Sequence, residues 1–271
     1  MEKICAGIVT FNPDKEILIS NIASIIDQVD AVIVLDNGST NIKMIDELCK
    51  QNEVILLKNS KNQGIARALN QLCQYAIDND FSWIITLDQD SITEDNLIKE
   101  LTRYVSNDVA ILAPNVIYRH NEKFADEIKK GIREEQWVIT SASLTNLNVW
   151  RKIGGFDENL FIDGVDRDFC IRANQAGYKV LKDYNVSIWH DLGNLKCRKM
   201  FGRTIYVTNH SPKRKYYMVR NAIYLDKKLE LNTSKLYIIK ILIKTLLYED
   251  DRIKKIKDIK KGISDGKKMV H

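Results

Sequence analysis

The chain has 271 residues, of which 45% are hydrophobic and 28% charged, a composition typical of a globular protein with a sizeable core. Three Pro and twelve Gly exclude a collagen-like or low-complexity sequence. Five scattered cysteines without a C-x-x-C pair are typical of reduced core residues rather than of a disulfide framework. The N-terminus lacks the features of a signal peptide, so we expect a cytoplasmic protein.

Charge is distributed unevenly along the chain. Residues 196–271 hold 21 Lys and Arg against 7 Asp and Glu, a balance of +14, whereas residues 1–195 hold 20 against 29, or −9. An acidic body with a basic C-terminal part predicts an anionic partner at that end. Nucleic acid and a membrane surface are the two candidates.

The N-terminal part alternates between short apolar runs and stretches with helical apolar spacing. Strands are predicted at Ile4–Val9, Val29–Leu35, Val54–Leu57, Trp83–Leu87, Val109–Pro114 and Trp137–Thr145. Strand–helix–strand units imply right-handed parallel crossovers, whose strands end at the same edge of a sheet. The sequence therefore predicts an α/β fold with a mostly parallel central sheet and flanking helices.

Polar residues follow four of these strands and are expected to share one crevice. They are Asn12, Asp36, Asn59 with Asn62, and Asp88 with Asp90. Neither G-x-G-x-x-G nor G-K-[ST] is present after the first strand, so the usual phosphate cradles of nicotinamide-binding and P-loop proteins are missing.

The stretch from Trp83 to Ser91, W-I-I-T-L-D-Q-D-S, ends a buried strand in two carboxylates. Successive side chains on an extended strand point to opposite faces, so Asp88 and Asp90 are expected to point the same way. Two hard oxygen ligands in one space suit Mg²⁺ or Mn²⁺. The alternative is that these residues form a turn or cap a helix.

A second acidic group, Asp163, Asp166 and Asp168, begins a predicted helix that ends at Gly177. Helix capping explains one or two of these carboxylates. Three of them beside apolar residues favour a raised carboxyl pKa, which suits proton abstraction. Further along the chain, His190 ends a strand, where it is either a surface residue or a third metal ligand.

Seven motifs in order resemble the inverting family 2 glycosyltransferases with the GT-A fold, within them the rhamnosyltransferase-like group. The resemblance covers roughly residues 4–221 and is carried by V-T-F-N at Val9, V-L-D-N-G-S at Val34, N-Q-G-I-A at Asn62, L-D-Q-D-S at Leu87, G-G-F-D-E at Gly154, the segment Phe161–Phe169 and W-H at Trp189. It implies a metal-dependent transfer of a sugar from a nucleotide donor.

The resemblance also implies roles for individual residues. The nucleotide sugar would be contacted by Thr10, Phe11, Asn12, Asp36, Asn62, Gly64, Arg67, Asp88 and Gln89. A divalent cation, Mg²⁺ or Mn²⁺, would be held by Asp88, Asp90 and His190. Asp166 matches the catalytic base, with Asp163 and Asp168 as neighbours able to share or replace that role.

The expected reaction is transfer of L-rhamnose from dTDP-L-rhamnose to a lipid-linked or growing cell-surface polysaccharide. Alternatives are a galactofuranosyl- or hexosyltransferase that uses a UDP-sugar, and a nucleotide-sugar-binding scaffold without turnover. A nucleic-acid-binding protein ranks lower, because no nucleic-acid-binding fold accompanies the basic residues.

The expected domains are a GT-A domain at residues 1–221 and a basic, amphipathic helical extension at residues 222–271. The extension is too charged and its apolar run too short to span a bilayer. It would pack on the body or on a second copy in a homodimer, or lie on the inner face of the cell membrane.

Overall fold

A computed structural model of the protein describes residues 2–118, 130–190, 196–200 and 203–270, and their side chains at 2–117, 130–189 and 207–270. The chain forms two compact units. The first comprises Met1–Asn159 and Val165–Asp191, and the second comprises Leu160–Gly164 and Leu192–His271.

The first unit alternates strands and helices. Its strands are β1 (Ile4–Thr10), β2 (Ala31–Asp36), β3 (Ile55–Lys58), β4 (Trp83–Asp88), β5 (Ile92–Thr93), β6 (Val109–Tyr118), β7 (Ile132–Glu134), β8 (Ser143–Asn146) and β9 (Lys179–His190). Its helices are α1 (Lys15–Ile25), α2 (Ile42–Gln51), α3 (Ile65–Asp78), α4 (Leu97–Leu101), α5 (Leu147–Lys152) and α6 (Val165–Gln175), with 3-10 turns at Ile26–Gln28 and Thr102–Tyr104.

These strands form one sheet in the order β3-β2-β1-β4-β8-β6-β9-β5, with β7 pairing to β9. The predicted parallel arrangement of β1, β2, β3 and β4 is confirmed. The sheet as a whole is mixed rather than mostly parallel, because β8 runs antiparallel to both β4 and β6. The strand predicted from Trp137 begins only at Ser143, since Ala142 adopts a left-handed backbone with φ of 57°.

Strand β1 lies at the centre of the parallel half and is buried along its whole length. Its residues are apolar on both faces, as a strand covered by helices on both sides requires. Gly7 allows close packing, since a Cβ there would lie 3.0 Å from side-chain atoms of Leu72 and Ile84. Each fully buried aliphatic side chain of this core contributes about 1.5–3 kcal/mol to folding.

The second unit contains the hairpin strands β10 (Lys196–Met200) and β11 (Arg203–Val207) and three helices, α7 (Pro212–Lys228), α8 (Ser234–Tyr248) and α9 (Arg252–Lys268). Ser211 caps α7 by accepting a hydrogen bond from the Arg214 N–H. Gly262 and Gly266 of α9 permit close contact with α7, because a Cβ at either would lie 2.6–2.7 Å from an α7 carbonyl oxygen.

The packing of α7 determines which unit it belongs to, and the division into domains after residue 221 stays a prediction. Helix α7 buries its apolar face against α9, so it groups with the C-terminal helices instead of with the sheet. The loop Leu160–Gly164 groups with them as well. No helix among the described residues has the length and apolar character needed to cross a membrane.

The second unit contains a buried cluster of three charged side chains. The Glu249 carboxylate lies 2.5 Å from the Lys215 ammonium and 2.9 Å from that of Lys255, and all three side chains are buried. Burial lowers the pKa of Lys215, although the bond to Glu249 opposes that shift. One carboxylate thus joins the first turns of α7 and α9.

Candidate active site

The carboxyl edge of the parallel strands brings together three of the predicted site residues. Thr10 ends β1 and pairs with Asp36, which ends β2, while Asp88 ends β4 on the other side of β1 and pairs with Val9. Parallel strands open their carboxyl ends on one crevice, which is where α/β proteins bind nucleotides. The predicted adjacency of these residues is therefore present.

Asp36 orders the turn that follows β2. Its carboxylate is buried and accepts hydrogen bonds from the backbone N–H groups of Gly38 and Ser39 and from the Thr10 hydroxyl, at 3.0–3.3 Å. Gly38 has φ of 87°, and a Cβ there would lie 2.5 Å from the Lys61 backbone. The turn therefore requires both residues, while a direct contact of Asp36 with a base or ribose stays a prediction.

The turn after β1 is tied to both of its neighbours. Asn12, at φ of 50°, accepts hydrogen bonds from the N–H and hydroxyl of Thr40 at 2.9 Å. The Phe11 N–H donates to the side-chain oxygen of Gln89 at 2.8 Å. The Phe11 ring is 45% exposed at this edge, which leaves its face accessible for stacking on a planar base.

A buried asparagine that the sequence did not single out organises the loop after β3. Asn37 donates to the oxygens of Asn62 and Gly64 and accepts from the Gln63 N–H and the Asn59 amide, at 3.0–3.3 Å. Asn62 in turn accepts from the Gly64 N–H at 2.9 Å. Two predicted site residues, Asn62 and Gly64, are thereby fixed beside the turn after β2.

Arg67, which was also predicted to approach the donor, lies in the first turn of α3. Its guanidinium is 3.9 Å from the Glu158 carboxylate, and both side chains are about half exposed. An ion pair this exposed contributes little to stability, so Arg67 remains able to rearrange toward an anionic ligand.

The two carboxylates after β4 lie in a tight turn. The strand ends at Asp88, and the Ser91 N–H donates to the Asp88 carbonyl at 3.1 Å across Gln89 and Asp90. Strand alternation therefore does not set the direction of the Asp90 side chain, which corrects the premise of the sequence argument. Asn21 of α1 holds the turn by donating to the carbonyls of Asp88 and Ser91 at 2.8 and 2.6 Å.

Ser141 supports the same turn from the other side. Its hydroxyl accepts from the Asp88 N–H at 3.3 Å and lies 2.7 Å from the Ser91 hydroxyl. Both Asp88 and Asp90 are half-buried, and among the described residues the Asp90 carboxylate has no hydrogen-bond or ion-pair partner. Two half-buried carboxylates on one turn are a fitting donor set for Mg²⁺ or Mn²⁺, which bind few protein oxygens and complete their shell with water and phosphate.

The third proposed metal ligand lies outside the described side chains. His190 is the last residue of β9, and only its backbone is described. Ile92 pairs with Trp189, so continuing this antiparallel register by one residue sets the His190 backbone opposite Ser91. Among the described side chains, no three His, Cys, Asp or Glu gather in a group able to hold a metal.

Asp168, the last residue of the second acidic group, is fully buried in α6. Its carboxylate accepts two hydrogen bonds from the Arg172 guanidinium, at 2.7 and 2.8 Å. Arg172 also donates to the carbonyls of Ile153 and Gly155 at 2.7 and 2.6 Å. Asp168 thereby fixes the glycine turn before α6, and its burial gives it no access to an acceptor substrate.

Asp163 precedes α6 in a left-handed conformation with φ of 68°. Its carboxylate pairs with the Arg214 guanidinium at 3.0 Å. Asp166, the second residue of α6, is half-buried, and its Oδ1 accepts a hydrogen bond from the Arg167 N–H at 2.8 Å. The three neighbouring acids are thus in three different environments.

The four cysteines whose side chains are described have no features of a nucleophile. Cys5, Cys49, Cys73 and Cys170 are buried and free of disulfides. Burial raises the pKa of Cys5 and of Cys170 to about 12 and that of Cys49 to about 11. At neutral pH these thiols are protonated, so we assign them a role in packing rather than in catalysis.

The fold and the carboxyl-edge site together define a glycosyltransferase of the GT-A type. The chain belongs to glycosyl transferase family 2, whose family model matches residues 5–177. It is 34% identical over 241 residues to the dTDP-rhamnosyl transferase RfbF of Shigella flexneri, a match that covers 83% of this chain and 80% of that relative.

Solved structures share the fold at low sequence identity. Residues 1–349 of S. aureus TarS in complex with UDP-GlcNAc align with a TM-score of 0.65 at 15% identity, covering 97% of this chain and 81% of that one. GalNAc-T7 with UDP, GalNAc and Mn²⁺ aligns at 0.64 and 17% identity, covering 98% of this chain but 55% of that one. The Pyrobaculum calidifontis mannosyltransferase PcManGT, with GDP-Man and Mn²⁺, gives 0.62 at 11% identity, covering 99% and 76%.

Proposed function

We propose that the protein transfers L-rhamnose from dTDP-L-rhamnose to a hydroxyl of a lipid-linked or growing cell-surface polysaccharide. The observation that carries this proposal is the 34% identity to a dTDP-rhamnosyl transferase across most of both chains. The donor would lie along the carboxyl edge of β1, β2 and β4, with its base against Phe11 and its ribose near the turn that Asp36 orders.

Asp88 and Asp90 would hold a Mg²⁺ or Mn²⁺ ion. When bound, such an ion neutralises the charge that develops on the departing diphosphate. Asn21 and Ser141 fix the backbone of this turn without adding charge. His190 remains the proposed third ligand.

Asp166 would act as the catalytic base. It would take the proton from the attacking acceptor hydroxyl while that oxygen bonds to the anomeric carbon and the bond to the diphosphate oxygen breaks. One displacement of this kind inverts the anomeric centre and requires no enzyme nucleophile, in agreement with the buried thiols. The burial of Asp168 favours Asp166 over it as the base.

A panel of sugar nucleotides tests the donor. The purified protein with Mn²⁺ or Mg²⁺ is expected to release nucleoside diphosphate from dTDP-L-rhamnose at least tenfold faster than from UDP-galactofuranose, UDP-glucose or UDP-galactose. A preference for one of the UDP-sugars would establish the alternative donor. Bacterial membranes are added as a source of acceptor. If the protein then binds the donor but neither releases nucleoside diphosphate nor transfers sugar, it is a nucleotide-sugar-binding scaffold without turnover.

We also infer that α8 meets an anionic membrane surface. Its exposed large apolar side chains are Leu236, Tyr237, Ile239, Ile243, Leu246 and Leu247. Exposed lysines accompany them in α8 and α9, at Lys235, Lys240, Lys244, Lys254, Lys257, Lys260 and Lys261. Apolar side chains flanked by lysines match the interface of a bilayer that contains anionic lipid.

Co-sedimentation with vesicles tests this contact. The protein is expected to bind phosphatidylglycerol vesicles and to bind pure phosphatidylcholine at least tenfold more weakly. Replacing Leu236, Ile239 and Ile243 by Ser should abolish binding, while replacing Ile17 and Ile19, which are exposed in α1, should leave it unchanged. If the α8 changes instead convert a homodimer to a monomer and spare vesicle binding, the face is a subunit interface.

A further inference from the structure

The loop Leu160–Gly164 has an unusual backbone immediately before Asp166. Asp163 and Gly164 are consecutive left-handed residues, with φ of 68° and 90°. An aspartate in this conformation is uncommon and persists only where its surroundings hold it. The chain enters α6 at Val165, so this loop sets where the helix carrying Asp166 begins.

Asn221 of α7 holds the loop by its backbone. Its side-chain amide donates to two consecutive carbonyls, those of Ile162 at 2.7 Å and Asp163 at 2.8 Å. The Asn221 oxygen accepts from the Arg220 guanidinium at 2.8 Å, which fixes the orientation of the amide. Asn221 is 1% exposed, so water does not replace these bonds.

Other residues of α7 hold the same loop through their side chains. Arg214 pairs with Asp163 at 3.0 Å, and the Tyr217 ring stacks on that of Phe161 with centroids 5.0 Å apart. Gly164 lies against Leu225, since a Cβ at Gly164 would be 2.8 Å from a Leu225 methyl carbon. Contacts from about three turns of one helix therefore converge on four of the five loop residues.

We propose that Asn221 is a positioning residue for glycosyl transfer, which fixes the two peptide groups that lead into the Asp166 helix. This inference rests on the proposed role of Asp166. Asn221 would act through the backbone of Ile162, Asp163 and Gly164, because its amide donates to the carbonyls of the first two. A displacement of about 1 Å in a reacting group lowers rates by on the order of 100-fold, so loss of this restraint should lower kcat more than donor affinity.

Two substitutions test the restraint in the full-length protein with Mn²⁺ and dTDP-L-rhamnose. Asn221→Ala removes both donors, and Asn221→Asp removes them while keeping the shape of the side chain. Both are expected to lower kcat for dTDP release by about tenfold or more, with the KM for donor and the Kd for dTDP within twofold of the wild type. Amide hydrogen exchange in residues 160–168 should become faster.

Asp226→Ala is the matched control. Asp226 lies on the same helix and accepts three hydrogen bonds, from Thr233 and Ser234 at the start of α8, and it does not contact the loop. It should change kcat by less than twofold and leave exchange in residues 160–168 unchanged. An equal fall in kcat in Asp226→Ala, or a wild-type kcat in Asn221→Ala, would overturn the inference.

A milder variant covers the case in which the Asn221 variants do not fold. Arg214→Gln removes only the partly exposed pair with Asp163 and should lower kcat about threefold while accelerating exchange in the loop. Unchanged kcat and exchange in this variant would then refute control of the loop by α7. If the wild type releases no dTDP, the proposed function fails, while the exchange measurements still decide whether Asn221 holds the loop.

Discussion

The turn Asp88–Asp90 and the segment Asp163–Asp168 are both short and acidic, but the protein surrounds them with opposite chemistry. Neutral groups of Asn21 and Ser141 hold the first. In the second, guanidinium groups pair with the carboxylates of Asp163 and Asp168.

We use this difference in neighbouring groups to distinguish acids with a structural role from acids with a proposed role in binding or catalysis. A neutral donor fixes a backbone without adding a charge beside a nearby carboxylate. An arginine satisfies that charge, and a pair buried as deeply as Asp168 with Arg172 acts as a fixed brace. In the proposed mechanism Asp88 and Asp90 hold the cation and Asp166 takes the proton.

The largest expected effect is that of Asp166→Asn. Loss of a general base should lower kcat by about 10²–10⁴, because the Asn amide cannot take the proton from the attacking hydroxyl of the substrate. Steady-state dTDP release measures the rate, and calorimetry with dTDP and Mn²⁺ should give an unchanged Kd. A variant with wild-type turnover would exclude Asp166 as the base. It would also remove the proposed difference in role between Asp166 and its neighbours Asp163 and Asp168.

Next in size is the loss of stability in Asp168→Asn. The change leaves the largely buried Arg172 guanidinium, which is 18% exposed, without the charge of its fully buried partner and should cost about 3 kcal/mol in urea unfolding. Asp163→Asn, whose partner Arg214 is 42% exposed, should cost less than about 1 kcal/mol. Equal costs would contradict the distinction between a buried brace and a surface pair.

A smaller effect is expected at the metal site. Replacing Asp88 and Asp90 by Ala should weaken dTDP binding in Mn²⁺ by on the order of 100-fold, because the ion links protein to diphosphate. Calorimetry in EDTA is the control, since wild type and variant should then bind dTDP equally weakly. Equal affinity of both proteins in Mn²⁺ would rule out these carboxylates as ligands.

The smallest effect concerns pH. Burial lowers the pKa of His210 to about 4, and the neighbouring Arg214 adds to the shift. Below pH 6.5 the imidazole binds a proton more readily in the unfolded chain than in the folded protein. His210 therefore lowers the free energy of unfolding as the pH falls from 6.5 toward 4, and it has no such effect above pH 6.5. Arg214→Gln should raise the His210 pKa, as NMR titration of the imidazole would measure, and an unchanged or lowered pKa would contradict this.

Part of the candidate site could be predicted from local patterns in the sequence. Parallel strands share an edge, so Thr10, Asp36 and Asp88 were expected together and lie together. Asn21 gave a weaker signal, as a polar residue on the apolar stripe of α1 formed by Leu18, Ile22 and Ile25. Arg172 lies four residues after Asp168 on one helix, a spacing from which their pair is predictable.

The other contacts had no local signature. Asn37 bonds to a loop about 25 residues away, and Asn221 bonds to carbonyls nearly 60 residues before it. The antiparallel position of β8 between β4 and β6 depends on pairing with strands that lie far from it in the chain. Side-chain spacing along a strand records its burial but not its neighbour.

By itself the sequence determined the alternation of strands and helices, the polar edge of the sheet and the basic, amphipathic C-terminal part. These properties follow from local periodicity and composition, which every short segment carries with it. Only the tertiary structure decided which acids meet an arginine, where α7 packs and which polar groups hold the Asp88 turn. Those outcomes depend on groups far apart in the chain that meet only after the core has formed.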